Sequence, residues 1–119
     1  MILLEVARVL EGRFLLDLDA DAERVEIESV CASDLMSDVL AFARPRALLI
    51  TALANPQAVR TAEMSEIAAI CFVRGKQPPE SSIELARESN IPLMATRFST
   101  YTCCGILYAA GLVGCDGCT

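Results

Sequence analysis

Residues 47–51 (Ala-Leu-Leu-Ile-Thr), 68–73 and 92–96 are short apolar runs at roughly twenty-residue intervals, with a helical pattern between each pair. No feature narrows the fold more. A short run without polar alternation is a strand buried on both faces, and such strands belong to parallel sheets. Parallel neighbours need a crossover, usually a right-handed one through a helix. The chain is therefore expected to be α/β, a mostly parallel sheet with flanking helices.

The intervening residues punctuate those helices. Asn55 precedes Pro56, the pairing of an N-cap with a first-position proline, and Ala58, Val59, Ala62 and Met64 supply a packing face. Ser81-Ser82-Ile83-Glu84 has capping-box spacing. Ser99 opens a last helix that carries Leu107 and Ala110 and ends at Gly111. Upstream, Val30-Cys31-Ala32 ends a strand, and Ser33 or Asp34 caps a helix with Leu35, Val39, Phe42 and Ala43, stopped by Pro45.

The first thirty residues read differently. An N-terminal helix over 2–10 puts Leu3, Val6, Ala7 and Leu10 on one stripe. Phe14, Leu16 and Leu18 then alternate with Leu15, Asp17 and Asp19, as do Val25 and Ile27 with Glu26 and Glu28. That period predicts β-hairpin-like strands, or a strand with a loose return, with an acidic wet face. Residues 1–111 make one domain, and 112–119 read as a cysteine-containing C-terminal tail.

Charge and missing residue types exclude several functions. A net charge of −6, with Lys76 the sole lysine and the arginines scattered, argues against a nucleic-acid backbone as partner. The chain opens Met-Ile-Leu-Leu-Glu without a basic n-region, so a cytoplasmic location is expected. Residues 98–115 carry no charge, but Gly111 and Gly114 interrupt them, which argues against a membrane span.

With no histidine, neither a Ser-His-Asp nor a Cys-His arrangement can form. Arg74-Gly75-Lys76 ends like a P-loop, yet Ile70 and Gln77 occupy the positions of the required glycine and hydroxyl residue, and Pro78-Pro79 follows. Asp17, Asp19, Asp21 and Glu28 match the acidic positions of a calcium loop, with Ala22 where its glycine belongs. The expectation is a protein that is not an enzyme, and no motif specifies a cofactor.

Without a secretory signal the six cysteines do not suggest a disulfide framework. Cys31, Cys71 and Cys103 fall at core positions. Cys115-x-x-Cys118 has metal-knuckle spacing, and Cys103 with Cys104 could complete four ligands only with distortion, because helical neighbours diverge by about 100°. A reduced tail is the first reading; a metal, iron–sulfur or redox role is the alternative.

Sites in open parallel sheets lie beyond the carboxyl ends of the strands. Here that rim holds Ser33, Asp34, Thr51, Asn55, Arg74, Thr96, Arg97 and Ser99. Ser33, Asn55 and Ser99 each precede a helix whose free N–H groups can hold an anion, with Arg60 or Arg97 adding charge. The same residues also serve as ordinary caps. The candidate binding set is Ser33, Asp34, Thr51, Asn55, Arg60, Thr96 and Ser99, and it suits an anionic metabolite or nucleotide. The uncharged helix over 99–110, with Cys104, Ile106, Leu107 and Tyr108, is expected to pack against a second copy or a protein partner.

Ser33-Asp34-Leu35-Met36-Ser37-Asp38-Val39-Leu40, Leu49-Ile50-Thr51, Asn55-Pro56-Gln57, Arg60-Thr61-Ala62-Glu63 and Ala69-Ile70-Cys71-Phe72-Val73-Arg74-Gly75 together resemble the DRTGG-domain family. The resemblance runs over residues 2–111 and extends to the N-terminal domain of HPr kinase/phosphorylase and, more distantly, of Mur ligases. The Asp-Arg-Thr-Gly-Gly string itself is absent, and no role attached to it is carried over. The resemblance implies a regulatory or ligand-sensing module, and for stand-alone members a hydrogenase-type redox partner.

Overall fold

The computed structural model describes residues 1–116. Leu3–Val9 forms α1, with Leu3, Val6 and Ala7 buried and the Glu5 carboxylate accepting the Ile2 N–H at 3.2 Å. The chain leaves it through Glu11 (φ 52°) and Gly12, where a Cβ would lie 2.6 Å from the Met94 sulfur. Arg13–Phe14 is β1 and Ala20–Glu23 is α2. Four strand–helix units follow: β2 Ser29–Ala32 and α3 Met36–Phe42, β3 Ala47–Thr51 and α4 Pro56–Met64, β4 Ala69–Phe72 and α5 Glu80–Ser89, β5 Leu93–Ala95 and α6 Thr100–Ala109. Val113–Gly114 closes the order as β6.

The six strands form one sheet in the order β1-β5-β4-β3-β2-β6. From β5 to β6 across the sheet every pairing is parallel; β1 alone runs antiparallel, on β5. Every residue of β3, β4 and β5 is buried, as continuous apolar runs require. Their alternate side chains feed two cores. Leu48, Ile50, Cys71 and Met94 pack with α1 and α6 on one face. Ala47, Leu49, Ile70, Phe72 and Leu93 pack under α3, α4 and α5 on the other.

The α/β class and mostly parallel sheet are as expected; the hairpin is not. Asp19 accepts the Ala22 N–H at 2.8 Å and turns 20–23 into α2, so the two alternating runs never pair. Phe14 pairs with Met94 of β5 instead. Residues 25–27 bond the N-terminus, with Leu3 N–H donating to Val25 O at 2.9 Å and Ile27 N–H to Met1 O at 2.8 Å.

Three further expectations change. The Ser81–Glu84 capping box does not form, because α5 begins two residues earlier with Pro79 as its N-cap. Leu35, Phe42 and Met64, assigned to packing faces, are exposed, while Met36 and Thr61 take inward positions. The segment after Gly111, set apart as a tail, supplies β6 along β2. Cys118 lies outside the described residues. No helix among the described residues is long and apolar enough to cross a membrane.

Candidate functional site

The parallel strands β2 to β5 send their carboxyl ends to one edge, and the loops there are cross-linked by side chains. The Asp34 carboxylate accepts the Thr51 hydroxyl at 2.9 Å and the Ala52 N–H at 2.8 Å. Thr51 Oγ1 in turn accepts the Leu53 N–H at 3.1 Å. Asp34 therefore joins the loop after β2 to the loop after β3 and does not cap α3. The N-cap position of α3 is Leu35, which makes no side-chain cap bond. Ser33 Oγ accepts the Leu35 N–H at 3.1 Å, and Ser33 N–H donates to Ile50 O at 3.1 Å.

Asn55 and Ser99 are the caps the spacing predicts. Asn55 Oδ1 accepts the Ala58 N–H at 3.2 Å, and Ser99 Oγ accepts the Thr102 N–H at 3.3 Å. Their helices lie on opposite faces of the sheet, so the ends of β3 and β4 stand between them. Arg60 is exposed on α4 and, among the described residues, makes no ion pair. Arg97 pairs with Glu11 at 3.1 Å and lies over the Phe98 ring at 4.7 Å.

Thr96 has a different task. It is buried, and its hydroxyl donates to Leu10 O at 2.6 Å and accepts the Phe98 N–H at 3.2 Å. That hydroxyl fastens the end of α1 to the β5 loop. Ser82, missed as a rim residue, plays the same part on the other face by donating to Ala54 O at 2.7 Å. It ties α5 to the loop that precedes Asn55.

The Arg74-Gly75-Lys76 loop also gains weight. Arg74 and Gly75 take φ values of 54° and 67°, and their N–H groups donate to Phe98 O at 2.8 Å and Thr96 O at 2.7 Å. The loop is thereby clamped to the β5–α6 connection at the middle of the edge. Arg74 and Lys76 stay exposed and, among the described residues, without an ion pair. Two cations around a glycine directly after a buried strand were the available signal.

A sizeable cleft lies elsewhere. About 340 Å³ opens at the amino-terminal end of β5, among Leu16, Asp17, Asp19, Arg87, Asn90 and Pro92. Arg87 is paired there with Glu84.

Thiols are the groups whose acidity moves most. A hydrogen bond with Cys103 and burial push Cys71 far above the ordinary thiol range. Burial, the Cys115 thiol and Asp38 push Cys31 up to about 11. No group of three or more cysteine or carboxylate side chains among the described residues is arranged to hold a metal ion.

Comparison with known proteins adds two findings. The sequence profile of the DRTGG domain matches residues 5–110. The crystal structure of the CBS and DRTGG domains of the regulatory region of Clostridium perfringens pyrophosphatase, complexed with its activator diadenosine tetraphosphate, shares the fold with a TM-score of 0.70. Identity there is 13%, and the match covers 86% of this chain and 44% of that one. No curated protein sequence matches the chain.

Proposed function

The chain belongs to the DRTGG-domain family, and on that premise we propose that it is a non-catalytic regulatory module that senses an anionic metabolite or nucleotide. The supporting observation is the likeness to a regulatory region solved with a nucleotide activator. The carboxyl edge supplies matching chemistry. Helices α4 and α6 both start at that edge, and a helix start favours an anion. Arg60, Arg74 and Lys76 offer exposed positive charge. Asp34, Thr51 and Ser33 hold the loops in register, Asn55 and Ser99 fix the helix starts, and Thr96 anchors the β5 loop from beneath.

A thermal-shift screen of the purified protein against nucleotides and phosphorylated metabolites tests this. Ligand bound at a hundred times its Kd should add about 2.7 kcal/mol to stability. Arg60→Ala should remove most of that stabilisation while leaving the unliganded melting temperature within about 2 °C, as for an exposed side chain without partners. Equal ligand affinity in the mutant would remove Arg60 from the site, and no shift with any anion would end the sensing reading.

A second reading is an interaction module. It is favoured by Tyr101 and Tyr108 on α6 and by Leu35, Leu40, Phe42 and Met64 on α3 and α4, all large apolar side chains left exposed.

A further inference from the structure

The cysteines carry a chemistry that the sensing reading does not use. Strands β2 and β6 pair with Ser29 beside Val113 and Val30 beside Gly114. One residue further on, Cys31 comes level with Cys115, and the Cys115 N–H continues the ladder by donating to Val30 O at 3.1 Å. Both side chains pack against the core beneath α3, α4 and α5, so both thiols lie on one face of the sheet. Cys115 Sγ is 3.5 Å from the Ser29 hydroxyl, which stands on the same face two residues before Cys31.

Spacing and access suit a bond between them. Neighbouring strands lie about 4.8 Å apart, inside the Cα separation of about 4.4–6.8 Å that disulfides span. Both thiols are free and only half-buried. Cys71 and Cys103 form the contrasting pair, both fully buried between β4 and α6.

We propose that Cys31 and Cys115 are a reversible thiol modification site, oxidised to an intramolecular disulfide by a low-molecular-weight disulfide of the glutathione type. The Cys115 thiolate attacks one sulfur of the reagent, breaking its S–S bond and forming a mixed disulfide. The departing thiolate takes a proton from water. Cys31 then loses its proton and attacks the Cys115 sulfur, which releases the second small thiol. Two protein thiols are oxidised and one small disulfide is reduced to two thiols. Burial and the adjacent Cys115 push Cys31 up to about 11, so the exchange opens at Cys115. The product fixes β6 to β2 covalently, and it does so whether or not the rim binds an anion.

The test uses the full chain, reduced and then incubated with glutathione disulfide. Remaining thiols are alkylated, and peptides are fragmented to assign the linked residues. The expected result is a Cys31–Cys115 link, a melting temperature raised by roughly 10 °C, and return to the starting value with dithiothreitol. Cys31→Ser should stop at glutathione on Cys115, without the thermal gain. Wild-type protein in which Cys115 pairs with Cys118, keeps its glutathione, or stays reduced would overturn the proposal, and none of those results depends on the variant folding.

Discussion

Helices α6 and α3 lie on opposite faces of the sheet and differ in composition, and the less polar helix does not make the more apolar surface. On one face α6 has no charged residue, yet it buries only Cys103 and Leu107 and turns Tyr101 and Tyr108 outward. On the other face α3 has an acidic first turn, yet it exposes Leu35 at 58%, Leu40 at 50% and Phe42 at 70%. Position explains the contrast. α3 is seven residues long and flanked in its layer by α4 alone, so only Met36 and Val39 reach the core. α6 crosses back over the sheet from β5 toward β6 and leaves Tyr101 and Tyr108 largely outside the core. Helix composition tells how much apolar surface there is; neighbours decide which part stays bare.

The comparison breaks most sharply at neighbouring positions of α6. Leu107 is 1% exposed and Tyr108 62%. Leu107→Asp puts an unpaired charge in the core and should abolish the cooperative thermal transition, a loss of more than about 4 kcal/mol. Tyr108→Asp should melt within about 0.5 kcal/mol of the parent. Leu107 is thus a core residue, and its replacement probes the fold, not an interface as the sequence pattern alone suggests.

A smaller effect separates the two buried hydroxyls that anchor the faces. Thr96→Val leaves Leu10 O and the Phe98 N–H without partners and should cost about 1–3 kcal/mol in urea denaturation. Ser82→Ala frees only Ala54 O and should cost about 1 kcal/mol. If Ser82→Ala proved the costlier, the α5 side would be the one that holds the rim together.

The smallest effect on stability decides which face meets a partner. Phe42→Ser and Tyr101→Ser should each leave the melting point nearly unchanged, within about 0.5 kcal/mol. Light scattering then compares molar masses. A parent that is oligomeric and is dissociated by Phe42→Ser alone would place the contact on α3 and α4; dissociation by Tyr101→Ser alone would place it on α6.

Much of this architecture could be read from local pattern. The strands β3, β4 and β5 are apolar throughout, and Asn55 and Ser99 cap α4 and α6, because each signal acts within a few residues. Part of what failed depends on distant partners. β6 is two residues long and exists because β2 offers it an edge, with Ser29 meeting Cys115 at a separation of 86 residues. The run of alternation after Phe14 gave way to Asp19, whose cap turns the next residues helical.

The rim divides in the same way. Ser33, Asp34, Thr51 and Thr96 were recognisable as lying at strand ends, but not what their side chains hold. Asp34 looks like a cap until Thr51 and Ala52 are placed beside it. Thr96 looks available until Leu10 O, also 86 residues away, is brought under it.

The outermost strands have a consequence for the protein in a crowded solution. A sheet edge is a row of unpaired donors and acceptors that can recruit a strand from another molecule, and long apolar edges seed aggregation. Here the four central strands are the hazard, and each side ends in a strand of two residues, one of them antiparallel. Such stubs are too short to template a further strand. The least conspicuous pieces of the fold are therefore its guard against edge-to-edge association.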